Sequence, residues 1–158
     1  MKTLKLYTAI LGVFFLLTSF KPANELTWMG FNDGYALAKK KNKIMLIDVY
    51  TDWCGWCKRM DRDTYEKAEI IEILNKDYVV IKFNPEIQNA VYKFEGKEYN
   101  GPQLAAAISN NQINGYPTTI FHSPKNKKTE VLSGYYNPER FKPVLETIAA
   151  EFGKKGKK

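Results

Sequence analysis

Residues 44–50 read Ile-Met-Leu-Ile-Asp-Val-Tyr, an apolar run broken once by a carboxylate. A continuous apolar run, rather than an alternating one, suits a strand covered on both faces. We therefore expect a strand over Ile44–Thr51 inside a sheet with helices above and below it. Four residues past Tyr50 come the chain's two cysteines, in Trp53-Cys54-Gly55-Trp56-Cys57-Lys58. A Cys-x-x-Cys that follows a buried strand and opens a helix is the arrangement of a dithiol–disulfide redox centre. Two cysteines cannot build a wider disulfide framework and are too few for a structural zinc site. The motif either performs redox chemistry or closes an ordinary local disulfide, and a loop this short restrains little chain.

The rest of the pattern fills in around that strand. Trp28–Lys43 reads as a short helix, with Asn32 or Asp33 available to cap it. A helix from Cys54 to about Asp61 and a second over Lys67–Asn75 precede a strand over Tyr78–Phe83. The pattern fades between Pro85 and Pro102, where Phe94–Tyr99 suits either a small hairpin or an ordered loop. A helix over Gln103–Asn110 follows. Thr118–Phe121 and Glu130–Leu132 flank the turn residues 124–127 and should pair antiparallel. Asn137 and Pro138 have the chemistry of a helix start. Phe141, Val144, Leu145, Ile148 and Phe152 then give the last helix one apolar face. The expected class is α/β: a central mixed sheet, with parallel strands plus a C-terminal antiparallel hairpin, flanked by helices.

The first 23 residues stand apart. Met1–Lys5 is short and basic, and Leu6–Phe20 is apolar and uncharged, the length of a signal h-region. Ala23 is the candidate last leader residue, although Lys21 fits a cleavage site poorly, so an uncleaved N-terminal anchor stays open. The expected division is leader or anchor 1–23, one domain 24–153 and a basic, solvated tail 154–158. Export to a periplasm or other bacterial envelope space is expected, where disulfides persist. The net charge of +7 comes from 24 basic and 17 acidic residues. Losing the leader removes Lys2, Lys5 and Lys21 and no acid, which leaves +4. No basic stripe is interleaved with aromatic residues, so nucleic acid is not an expected partner.

Four separated features resemble the thioredoxin superfamily: Asp48 in its strand, Trp53-Cys54-Gly55-Trp56-Cys57-Lys58, Gly115-Tyr116-Pro117-Thr118, and Gly134 before the last helix. The resemblance spans Trp28–Phe152 and is to exported single-domain members. It implies a thioredoxin-like fold. It implies that Asp48 exchanges a proton with Cys57, with Lys82 as the partner of Asp48, and that Pro117 is the cis-proline facing the cysteines. Tyr116 would offer its main chain to an extended substrate segment, and Trp53, Gly55 and Trp56 would form the rim around the sulfurs. Independently of the resemblance, a cysteine at a helix N-terminus meets unpaired N–H groups and the positive end of the helix dipole, which favour a thiolate. Cys54 is then the nucleophile and Cys57, three residues on and on the same face, resolves the mixed disulfide. Trp56 stands where Gly-Pro dipeptides usually carry proline, which leaves potential and partner preference open. His122 is expected to be a strand residue without a chemical role.

The leading expectation is an exported thiol–disulfide oxidoreductase that reduces protein disulfides, takes electrons from a membrane thiol carrier, acts as a monomer and needs no cofactor or metal. Alternatives are a disulfide oxidase or isomerase, a Cu(I)-binding metallochaperone module using the two thiols with Met60, and a redox-silent peptide-binding module.

Overall fold

The computed structural model describes residues 25–153. The proposed leader, its boundary and the tail after 153 lie outside the described residues. Eleven regular elements follow one another: α1 (Phe31–Lys41), β1 (Ile44–Val49), α2 (Gly55–Met60), α3 (Ala68–Asp77), β2 (Tyr78–Phe83), β3 (Tyr92–Phe94), β4 (Lys97–Tyr99), α4 (Gly101–Ser109), β5 (Thr118–His122), β6 (Thr129–Ser133) and α5 (Pro138–Gly153). A π-helical turn, Asp61–Tyr65, continues α2.

Four strands form one sheet in the order β2-β1-β5-β6. β1 runs parallel to β2 and antiparallel to β5, and β5 and β6 form the antiparallel hairpin. The sheet is mixed and helices cover both faces, as expected for the thioredoxin-like α/β class. All six residues of β1 are buried, the central strand that its unbroken apolar run implies.

The alternation of β1 decides where its carboxylate goes. Met45, Ile47 and Val49 belong to one core cluster, with Phe31, Ile81, Phe83, Leu104 and Ile120. Ile44 and Leu46 belong to the other, with Met60, Ile70, Leu74, Phe141 and Leu145. Asp48 shares the parity of Ile44 and Leu46, so it points to the face covered by α2, α3 and α5. Burying each large side chain of this second cluster, such as Phe141 at 0% exposure, contributes on the order of 2–3 kcal/mol by area.

Two local expectations are corrected. The first helix starts at Phe31 rather than Trp28, and its N-cap is Gly30, with no side-chain cap bond from Asn32 or Asp33. Met29 instead bridges to Ile81, which holds residues 28–29 extended along β2. Asn32 reaches the β3–β4 hairpin: its Nδ2 donates to Val91 O at 3.0 Å and its Oδ1 accepts from Lys93 N at 2.8 Å. The Phe94–Tyr99 stretch resolves as that hairpin, with Glu95 and Gly96 both at positive φ in its two-residue loop. At the other end of the chain, Asn137 accepts from Arg140 N at 3.1 Å and opens α5.

Behind the hairpin, α4 begins with a capping box between Asn100 and Gln103. Gly101 is its first residue and is pressed on the preceding loop: a Cβ there would stand 2.0 Å from the Pro85 carbonyl oxygen. Only the missing side chain lets the 85–89 loop seat against the helix.

Candidate active site

The end of β1 delivers the chain to Cys54, which is the N-cap of α2. Cys54 and Cys57 form a disulfide with their Cα atoms 5.3 Å apart. The spacing of three residues on one helical turn makes that reach possible. Cys54 Sγ accepts a hydrogen bond from the Cys57 N–H at 3.1 Å, so one of the helix's otherwise unpaired donors is aimed at the first sulfur. Both cysteines are buried, and the surface around them is aromatic.

Trp53 and Trp56 are the most exposed large apolar side chains beside the sulfurs, at 69% and 54%. Neither is core. Trp53 packs edge-on against Tyr116, with ring centroids 5.8 Å apart, and its indole N–H donates to Glu86 Oε2 at 3.0 Å. Trp56 lies against Tyr135 at 5.5 Å, and the Arg59 guanidinium sits over both of those rings, 5.1 and 5.2 Å from their centroids. Gly55 is exposed between the cysteines.

The Tyr116–Pro117 peptide bond is cis. Pro117 is buried at the start of β5, and its carbonyl accepts from the Gly134 N–H at 2.8 Å. Gly134 has φ of +89°, a conformation that favours glycine. Beyond Tyr116 opens a cleft of about 990 Å³, lined in part by Pro85, Glu86, Ile87, Asn100, Gly101 and Tyr116. The 87–102 stretch thus forms one wall of a cleft that reaches the rim.

Below the helix lies a polar cluster. Asp48 is 1% exposed, and its Oδ2 accepts from Lys82 Nζ at 2.5 Å. The register explains the pairing, because Asp48 and Lys82 are direct partners across β1 and β2. Lys82 also donates to Asp61, four residues past Cys57 in the π-helical turn. Its ammonium lies 4.7 Å from the Trp28 ring centroid, 5.2 Å from Tyr50 and 5.7 Å from Tyr65. Asp48 Oδ1 is buried with no hydrogen-bond partner among the described residues.

Burial pushes the Asp48 carboxyl up to about 6, against the pull of Lys82. Burial pulls on Lys82 in the opposite sense, but the two carboxylates outweigh it and hold its ammonium above the ordinary lysine value. Tyr65, fully buried and near Asp48, is raised well above its ordinary range by desolvation. Its hydroxyl is 3.3 Å from Thr119 Oγ1. The cluster therefore holds one carboxyl that changes protonation close to neutrality, which suits proton exchange.

The structure thus gathers Trp53, Cys54, Gly55, Trp56 and Cys57 on one turn, Tyr116 beside Trp53, and Asp48 with Lys82 on the sheet face covered by α2, α3 and α5. Sequence reasoning missed Asp61, Glu86, Arg59 and Tyr135. Asp61 had a signal, being one helical turn past Cys57. Glu86 had none, since 33 residues separate it from Trp53. Met60, considered as a third ligand for Cu(I), is fully buried in the core. Among the described residues, no cluster of three metal-ligating side chains occurs and no helix is long and apolar enough to cross a membrane. His122 lies buried in β5 with its Nδ1 2.9 Å from Thr129 Oγ1.

Residues 14–158 match the family model described as "Thioredox_DsbH: Protein of unknown function, DUF255". Among curated proteins, the chain is similar to the thiol:disulfide interchange protein DsbD of Salmonella typhi, 28% identical over 93 residues that cover 59% of this chain and 14% of that protein. The chain spans under a fifth of the length of the curated relatives it matches first, 18% and 14%. Among solved structures, a thioredoxin from Thermus thermophilus aligns with a TM-score of 0.62 at 21% identity, covering 81% of this chain and 90% of that one. A DsbH oxidoreductase aligns with a TM-score of 0.59 at 14% identity, covering 85% and 92%. These structural likenesses show the thioredoxin fold.

Proposed function

The chain belongs to the Thioredox_DsbH family, a thiol–disulfide oxidoreductase-like group of thioredoxin fold, and from that membership we propose that it is an exported enzyme that reduces disulfides in other proteins. One observation carries the reading: the Cys54–Cys57 disulfide has its first sulfur at a helix N-cap, and the helix covers the sheet face that buries Asp48. In the reduced enzyme, the Cys57 N–H and the helix dipole favour a thiolate at Cys54.

That thiolate attacks one sulfur of a substrate disulfide. A Cys54–substrate S–S bond forms, the substrate's own S–S bond breaks, and the departing thiolate takes a proton from water. Cys57 passes its proton to the ionised carboxylate of Asp48 and attacks the Cys54 sulfur. The mixed disulfide breaks, the second substrate thiolate leaves, and the Cys54–Cys57 bond closes. Two electrons have moved from the enzyme to the substrate. A membrane-borne thiol carrier returns them. Lys82 holds Asp48 in place and lets it ionise. Trp53, Gly55, Trp56, Tyr116 and Pro117 form the surface on which the substrate segment lies, with the Tyr116 main chain pairing with it. The apolar stretch at 6–20 supports export to an envelope space, with tethering if the leader is retained.

Turnover of insulin disulfides by the reduced protein tests the reading. Cys54→Ser should bring the rate to background, and Cys57→Ser should trap thiol-sensitive adducts with protein partners. Full activity of Cys54→Ser would overturn the mechanism. Direction is tested by the equilibrium of the Cys54–Cys57 couple with glutathione: a couple more reducing than glutathione supports the reductase, and a more oxidising one supports an oxidase or isomerase.

A further inference from the structure

Charge is distributed unevenly around the two tryptophans. Ahead of Cys54 the rim is acidic. Asp52 and Glu86 are exposed there, and the buried Asn84 ties them together. Asn84 Nδ2 donates to Asp52 Oδ1 at 3.4 Å, and its Oδ1 accepts from the Glu86 N–H at 2.9 Å. Glu86 in turn holds the Trp53 indole.

Past Trp56 the rim is basic. Lys58, Arg59 and Arg62 are exposed; Asp63 is shared between the two guanidinium groups and Glu66 lies near Arg62, so three positive charges face two negative ones. Positive charge therefore remains in excess. Arg59 is the organised member of this set. Its guanidinium lies over both the Trp56 and the Tyr135 ring, 5.1 and 5.2 Å from their centroids, so two aromatic contacts restrain it. Only its Nε is bonded to Asp63, at 3.2 Å. A guanidinium carries five N–H donors in a rigid fork, so the outer ones suit a carboxylate arriving from outside.

Each tryptophan thus stands on a different tyrosine and carries a charge of opposite sign. We propose that this rim reads charge polarity in its substrates. The disulfides it selects lie in segments with a basic side chain on one side of the attacked cysteine and an acidic one on the other. The base meets Asp52 and Glu86, and the acid meets Arg59. A segment with the two charges exchanged meets like charge at both ends, which discriminates more strongly than the attractive contacts alone. The inference rests on the thiol–disulfide reading and names the substrate class of that same site.

Two peptides of identical composition test it. Each is a symmetric disulfide dimer through a single cysteine, one with lysine before and glutamate after that cysteine, the other with the order reversed. Stoichiometric reduced protein is mixed with each, and initial rates are divided by the rate with uncharged hydroxyethyl disulfide. At low salt one order should react about ten-fold faster than the other, a gap that two exposed charge contacts can supply and that high salt should shrink. The preference should disappear in the double variant Glu86→Lys/Arg59→Glu, where Asp52 at one end and Lys58 and Arg62 at the other are offset by the exchanged charges, and should weaken in each single variant. Equal normalised rates for the two orders, or a preference that survives the double exchange, would overturn the proposal. Failure of the wild-type protein to reduce hydroxyethyl disulfide would instead sink the oxidoreductase reading, and the polarity proposal with it.

Discussion

The rim around Cys54 and the polar cluster beneath α2 serve one disulfide and are held by different forces. The rim is open to water. Trp53 and Trp56 keep more than half their surface exposed and are steadied by tyrosine rings, one hydrogen bond and a guanidinium lying over Trp56. Contacts of this kind are individually worth about 1 kcal/mol or less. The inner cluster is closed. Asp48 is deprived of water, and the same deprivation both moves its protonation toward neutrality and makes it a cost to the fold. The rim can therefore be altered with little effect on stability, whereas the buried carboxylate costs the fold stability as it ionises.

Removing the buried carboxylate should give the largest change. The folded-state value of Asp48, about 6, lies above its ordinary 3.8. The folded chain thus binds the proton more tightly than the unfolded one. Stability from this group is complete below pH ~4, declines as pH rises, and is gone above pH ~6–7. The loss is about 3 kcal/mol by linkage. Asp48→Asn removes the titration, so urea unfolding should show a variant about 2–3 kcal/mol more stable at pH 7 and equal to wild type near pH 4. Its disulfide turnover should fall, because the proposed proton acceptor of Cys57 is gone. A wild-type stability curve that is flat from pH 4 to 7 would refute the account.

Lys82→Met should act with the opposite sign and a smaller size. Without the ammonium, Asp48 ionises less readily, and the variant should lose about 1–2 kcal/mol at pH 7. The deficit should shrink toward pH 4, where Asp48 is protonated in both proteins and only the pair with Asp61 is lost. Equal losses at both pH values would mean that Lys82 does not act through the ionisation of Asp48.

The smallest effect on stability belongs to the rim. Trp53→Ala should change unfolding free energy by no more than about 0.5 kcal/mol. It should nevertheless raise KM for insulin several-fold, while kcat moves little. A large stability loss there would erase the distinction between the two regions.

That distinction also marks what could be read from the sequence. The covered strand, the strand at Tyr78–Phe83, the last helix and the cysteine pair are encoded locally, in uninterrupted apolar runs, in Asn137-Pro138 and in three-residue spacing. The burial of Asp48 followed from the same run. The pairing of Asp48 with Lys82 came from a resemblance, and the register supplies its physical cause. The π-helical turn was hidden because its residues continue the helical pattern of α2. Asn32 carried the chemistry of a cap but spends both side-chain groups on the hairpin, a choice made by tertiary contact. The rim charges were invisible for a simpler reason. Glu86 and Tyr135 reach the tryptophans only once distant segments have folded beside them.

Gly101 shows how far such reach extends. Its bare Cα lets the Pro85 carbonyl settle against the first turn of α4. Pro85 directly precedes Glu86, so the placement of a surface carboxylate is inherited from a hydrogen atom at the root of a neighbouring helix. The proposed charge reading is thereby open to adjustment from a site that carries no charge and makes no contact with sulfur.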